Sequence, residues 1–229
     1  VQKCWICKQN AANSGEHGIK RSLLKFIHGT GPFVKKNRMV RIHDDKKTIV
    51  QSIDSDFLKF KKTICCICNN SYSKSWDEEF DRFIFHLLPN WEKELKSGYF
   101  NIKNSHPGCQ RKHSSNLYRY FCKIFGCALV DSGQDAPQDI VEAVNGRNYP
   151  NNFGISLCIE NEFFEKKVTP EMLCSTFDLE GDAANHLNYR WGLTIGFIKI
   201  GMWYRTPKNL IVGVPWYGKS KRIGFVVNF

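Results

Sequence analysis

The sequence predicts an α+β protein with a metal-stapled N-terminal module, a helical middle and a β-rich C-terminal region. Three observations carry that prediction. Two C-x2-C pairs, Cys4-Trp5-Ile6-Cys7 and Cys65-Cys66-Ile67-Cys68, bracket the first stretch. Apolar residues then recur at helical spacing through Trp76–Leu88 and again through Asn116–Val130. Beyond Tyr149 the pattern changes to short runs rich in Val, Ile, Trp, Tyr and Phe, divided by Gly and Pro, which read as strands. The corresponding units are 1–91, 92–146 and 147–229.

The first unit begins with the first cysteine pair and passes through a basic segment with strands expected at Met39–His43 and Thr48–Ile53. After the second pair, Trp76, Phe80, Phe83, Ile84 and Leu87 lie on one face of a helix. In the middle unit Leu117, Tyr120, Phe121, Ile124, Phe125 and Ala128 form a second apolar stripe. A shorter helix fits Pro137–Val144, with Pro near its start and Gly146 just past its end. The last unit holds β-like runs at Gly154–Glu160, Leu193–Tyr204, Leu210–Val214 and Gly224–Asn228, expected to form a small, mostly antiparallel sheet.

With 229 residues, 42% of them hydrophobic, the chain can bury a substantial core. It contains no apolar run of the ~18 residues needed to cross a membrane and no basic-then-apolar leader. A soluble, cytoplasmic protein is expected, with no membrane partner. The net charge of +11 is uneven: residues 1–130 carry 23 Lys and Arg against 11 Asp and Glu, and residues 131–229 carry 10 against 11. A basic N-terminal half attracts polyphosphates, so nucleic acid is the first partner to consider, against a merely solvated basic surface. The ten cysteines lack the regular spacing of a disulfide scaffold. Metal ligation explains the two pairs, and Cys158 and Cys174 read as small core residues.

Each C-x2-C pair lets two thiolates reach one tetrahedral ion, so Cys4, Cys7, Cys65 and Cys68 make a closed structural zinc site. Cys66 could be a packing residue or replace Cys65. Between and after the pairs stand Glu16-His17 and Asn69-Asn70, and the helix that follows carries Asp77 and Asp81. This order, C-x2-C, EH, C-x2-C-N-N, helix, resembles the HNH, or ββα-metal, family of endonucleases over roughly the first 90 residues.

The resemblance implies a ββα-metal module and hydrolysis of DNA phosphodiester bonds. His17 would be the general base, and Glu16 and Asn69 would ligate one catalytic Mg2+ or Mn2+. Asp77 would be a further ligand or a partner to one, with Asp81 as its alternative. A lone Glu-His is normally an exposed pair, an Asn there can cap a helix, and acidic residues in a first helical turn also suit the helix dipole.

Lys20, Arg21, Lys25, Lys35, Lys36, Arg38 and Arg41, with Lys59, Lys61 and Lys62, surround this motif and are candidates for contacting phosphates. DNA is favoured over RNA, and a homodimer that cuts both strands is compatible with the sequence. A second zinc site using His106, Cys109 and His113 with Cys122 and Cys127 has no defensible spacing. Trp203-Tyr204-Arg205 and Trp216-Tyr217 could stack on unpaired bases, although aromatic residues in strands more often pack in a core. The rival function is a non-catalytic, zinc-dependent nucleic-acid-binding protein; a third is a protein-interaction module built on the β-rich region. The breadth of the family points to a bacterial or phage restriction or defence role by analogy only.

Overall fold

The longest helix grows directly out of the second cysteine pair. A single π-type turn, Cys68–Tyr72, leads into α2, Lys74–Ser97, which buries Trp76, Phe80, Phe83, Ile84 and Leu87 along one stripe. The helix continues past Pro89, where the expected helix stopped, because Trp91 and Leu95 extend the apolar stripe onto the core. It ends at Gly98, whose φ of 74° closes the last turn with an N–H bond to Leu95 O. The computed structural model describes residues 1–33, 39–43, 46–105, 108, 110–160, 173–182, 186–205, 211 and 213–228.

Before α2 lie α1, Arg21–His28, and a two-stranded hairpin of β1, Met39–His43, and β2, Lys46–Val50. The sequence analysis did not anticipate α1, which buries only Leu23 and Leu24. After α2 come β3, Tyr99–Asn101, the single turn α3, Ile102–Ser105, and α4, Gln110–Asp131. Helix α4 is buried on every side from Tyr120 to Leu129, and it packs on α2 through Tyr120 stacked on Phe80 at 4.1 Å and Phe121 edge-on to Phe80 and Phe83. The short helix α5, Gln138–Val144, begins after Pro137 as expected.

The C-terminal strands are β4, Phe153–Glu160; β5, Leu173–Asp182; β6, His186–Ile195; β7, Ile198–Tyr204; and β8, Arg222–Asn228. With β3 they form one sheet in the order β3-β8-β4-β7-β6-β5, antiparallel throughout except for β4 beside β8. The run Leu193–Tyr204 is the centre of a hairpin, turned at Gly196 with φ 59°. In the predicted run Leu210–Val214, residues 210 and 212 lie outside the described residues, and Ile211, Gly213 and Val214 are not in a strand. Trp216 alone bridges to Ile155 there.

One buried cluster contains residues from Cys4 to Phe225, including both cysteine pairs, α2, α4, α5 and the inner strands. Tyr118 joins helix to sheet within it, its hydroxyl donating to Phe153 O at 2.7 Å. The N-terminal knuckle is keyed to α4 by a glycine: a Cβ added at Gly126 would stand 2.5 Å from the Trp5 ring. Such overpacking usually costs about 1–3 kcal/mol. Gly126→Ala is therefore expected to lower stability by that amount in denaturant unfolding, and an unchanged midpoint would show that Trp5 does not press on α4.

Candidate metal centre and carboxylate site

The first cysteine pair is shaped by a tight turn in which Lys8 N–H bonds Cys4 O at 2.9 Å and Lys8 takes a φ of 59°. Residues 14–18 then run antiparallel to residues 58–64. Ser14 N–H bonds Ile64 O at 2.9 Å, Phe60 N–H bonds Glu16 O at 2.8 Å, and Gly18 N–H bonds Leu58 O at 3.0 Å. Gly15 permits this approach, because a Cβ there would stand 2.6 Å from Phe60 O. The ribbon delivers the chain to the second cysteine pair, so ribbon and α2 follow one another as two extended segments and a helix. The hairpin β1–β2 is inserted between the two ribbon segments and is not part of them.

Cys4, Cys7, Cys65 and Cys68 offer sulfurs that all lie within 4.8 Å of one another. Cys7 Sγ and Cys65 Sγ are 3.9 Å apart, close to the edge of a tetrahedron with metal–sulfur bonds of about 2.3 Å. The four cysteines can hold a metal ion, and an all-sulfur tetrahedral set suits zinc. Burial pushes the Cys65 thiol upward, but the Cys68 N–H, the neighbouring thiols and the Asn10 amide outweigh it and bring the group to about 7. Burial pushes the Cys4 and Cys68 thiols the opposite way, so the four sulfurs do not share one tendency. Cys66 is exposed, its N–H held by Asn13 Oδ1, which assigns the ligand position to Cys65.

The residues expected to act on phosphate divide into two groups. Side chains along an extended segment alternate in direction, and the partners of Glu16 and His17 differ accordingly. Glu16 is buried, and its Oε2 accepts from Lys123 Nζ at 2.8 Å. Lys123 projects from α4 with no exposed side-chain area and also donates to Asp77 Oδ1 at 2.7 Å and to Ser73 Oγ at 3.2 Å. All three ammonium protons are therefore used. Burial alone would drive the lysine pKa down; the Glu16 and Asp77 carboxylates more than offset this and hold it above the ordinary lysine value. Asn69 lies on this inner side too, its amide donating to Ser14 Oγ at 2.9 Å.

His17 turns instead to the loop before residue 54, its Nε2 standing 3.0 Å from Ile53 O. A carbonyl can only accept, so Nε2 carries the proton and Nδ1 keeps its lone pair. Burial lowers the imidazole pKa, while Ile53 O and Glu16 act in the opposite sense. The ring is consequently neutral at pH 7. Lys59 is its cross-ribbon partner and stands on the same face.

Asp81, the alternative to Asp77, is committed to Lys20 Nζ at 3.1 Å and to Ser22 Oγ. Of the proposed phosphate contacts, Arg21 pairs with Asp54, Lys25 is exposed, and Lys61 reaches Asp131. Arg41 lies on β1 opposite Thr48, and Lys35, Lys36 and Arg38 lie outside the described residues.

Among the described residues, the spare His and Cys residues do not form a second centre. His113 Nδ1 stands 2.7 Å from Glu79 Oε2, His86 pairs with Glu94, and Cys122 and Cys127 are core residues of α4 whose thiols are pushed up by burial. His106 and Cys109 lie outside the described residues, and Cys158 is buried as expected. Among the described residues, the four cysteines are the only group of three or more His, Cys, Asp or Glu placed to share an ion. Trp203 and Trp216 are buried and bond Ser156 Oγ and Ser220 O, which makes them core residues; Tyr217 lines a cavity of about 380 Å³ with Arg222 and Lys219. No helix among the described residues is long and apolar enough to cross a membrane.

Sequence reasoning missed Lys123. The available signal was a single charge within the otherwise uncharged, largely apolar run Tyr120–Val130, which must find a buried counter-charge. Compared with protein-family models, curated proteins and solved structures, the chain has no match.

The metal centre gives a direct expectation. Purified protein should carry one zinc per chain by elemental analysis, Cys7→Ser and Cys65→Ser should lose it and unfold at lower temperature, and Cys66→Ser should keep it. Retention of zinc by Cys65→Ser would displace the assignment of the four ligands.

Proposed function

We propose that this protein is a zinc-stapled endonuclease of the HNH type that hydrolyses phosphodiester bonds in nucleic acid, DNA in the first instance, with His17 as general base. The observation that carries the reading is the state of His17. It is neutral, oriented by a backbone carbonyl through Nε2, and has Nδ1 available to take a proton from an attacking water. Water oxygen would bond to phosphorus as its proton passes to Nδ1, the phosphorus–oxygen bond of the leaving group would break, and that oxygen would be protonated from solvent. Lys59 across the ribbon and Arg21 at the start of α1 are candidate cations for the phosphate, which would have to displace the Asp56 and Asp54 carboxylates they pair with.

The succession of ribbon, π-type turn and helix supports a ββα-like arrangement, and the basic N-terminal half supports a polyanionic substrate. Glu16 and Asn69, with Asp77, do not suit a catalytic Mg2+ or Mn2+. A divalent ion between the two carboxylates would need oxygens at about 2.0–2.2 Å, in space already taken by the Lys123 ammonium. No step of the reaction is assigned to such an ion. The same lysine favours a second reading, a nucleic-acid-binding protein without catalysis, in which the carboxylates serve the fold alone.

Zinc-loaded protein incubated with supercoiled plasmid separates the two. Nicked or linear product is expected, with a rate about 10²–10⁴-fold lower in His17→Ala, the range typical of general-base catalysis. Binding of intact plasmid that weakens with salt, with no cleavage under any ion tested and none of an RNA substrate, would replace the nuclease by the binding protein.

A further inference from the structure

We infer that the Lys123 ammonium is the resident cation of the Glu16–Asp77 site, standing where a divalent ion would otherwise be held. The inference rests on the proposed function only in taking Glu16, Asn69 and Asp77 as the candidate oxygen donors. It concerns what fills that site, which can be measured whether or not the protein cleaves anything.

Four features of the site agree. The ammonium lies 2.8 Å from Glu16 Oε2 and 2.7 Å from Asp77 Oδ1, so one positive charge bridges two carboxylates contributed by different segments. Its third proton goes to Ser73 Oγ, and the Tyr120 ring lies 5.7 Å away. The nitrogen has no exposed area, so it neither meets solvent nor reaches a phosphate bound outside. Ser73 also ties the cluster together by donating to Asn69 O at 2.8 Å, and the other Asp77 oxygen lies 3.1 Å from the Ser73 hydroxyl. The ammonium is thus held by three oxygen atoms, one for each proton, on a covalent tether to α4.

An ion-exchange relation follows. Removing the ammonium leaves one buried and one partly buried carboxylate, Glu16 and Asp77, facing a vacated cation position, which is a divalent oxygen site. Lys123→Ala should therefore be less stable than wild type in chelator-treated buffer containing only the bound zinc, and Mn2+ should restore it. At about 100 times its dissociation constant the ion should raise the variant's Tm by roughly 5–10 °C. Wild type should show no such rise and bind no Mn2+ by electron paramagnetic resonance. The triple variant Lys123→Met, Glu16→Gln, Asp77→Asn should fold and be indifferent to Mn2+.

Two results would overturn the inference: Mn2+ binding by wild type that disappears in Glu16→Gln, or a folded Lys123→Ala that ignores Mn2+. If Lys123→Ala fails to fold under all conditions, the wild-type titration decides alone. Loss of the nuclease reading would appear only in the plasmid assay and would leave these measurements unaffected.

Discussion

A fully buried ammonium, Lys123, is the constraint around which this half of the molecule is arranged. It reaches from α4 into the junction of the ribbon and α2, where it meets Glu16, Asp77 and Ser73. Glu16 comes from the ribbon, and Ser73 and Asp77 from the start of α2; Lys123 is 107 residues from Glu16. Taking such a charge out of water is unfavourable unless its attraction to counter-charges and its hydrogen bonds replace the lost hydration. Here every donor is matched, so displacing any one element leaves unpaired charge in the core. Breaking a buried pair of this kind typically costs about 3–5 kcal/mol.

The cysteine centre and the lysine centre perform related tasks at the two ends of one short stretch. Four sulfurs join the N-terminal knuckle to the turn before α2, and the ammonium joins the ribbon to α2 and α4. Between them the ribbon has little freedom. The same ribbon carries the half-buried His17 imidazole, held against Ile53 O. A catalytic base benefits from such a frame, because a ring that cannot rotate presents its lone pair in one direction. The positions of Glu16 and Asn69 are explained by the frame itself.

Local signals in the sequence were legible and non-local ones were not. The C-x2-C spacing within each pair, the stripes of α2 and α4, the Pro137 start of α5 and the strand β4 all rest on local patterns; α5 and β4 fall close to the expected bounds, while α2 runs nine residues further and α4 starts six residues earlier. Helix α1 escaped notice because it is only eight residues long and lies in a segment read for its basic charge, although Leu23, Leu24 and Ile27 face the interior. The strand β5 went unread although Asp178, Glu180 and Asp182 alternate with Phe177, Leu179 and Gly181 at the period of a strand, because it lacks the Val and Ile that mark the other runs. The candidate site was legible as a set of residue types but not as an arrangement. Adjacent letters in Glu16-His17 suggested a shared site, whereas alternation along the ribbon sends them to different partners, and the lysine that decides the fate of Glu16 stands in a distant helix.

The central claim is that an ammonium rather than a divalent ion fills the space between Glu16 and Asp77. Crystals of zinc-loaded protein soaked in Mn2+ test it most directly through anomalous maps recorded at the zinc and manganese edges. The account predicts a zinc peak among Cys4, Cys7, Cys65 and Cys68 and, between the two carboxylates, Lys123 Nζ with no manganese signal. A manganese peak ligated by Glu16 and Asp77, with Lys123 displaced, would contradict it.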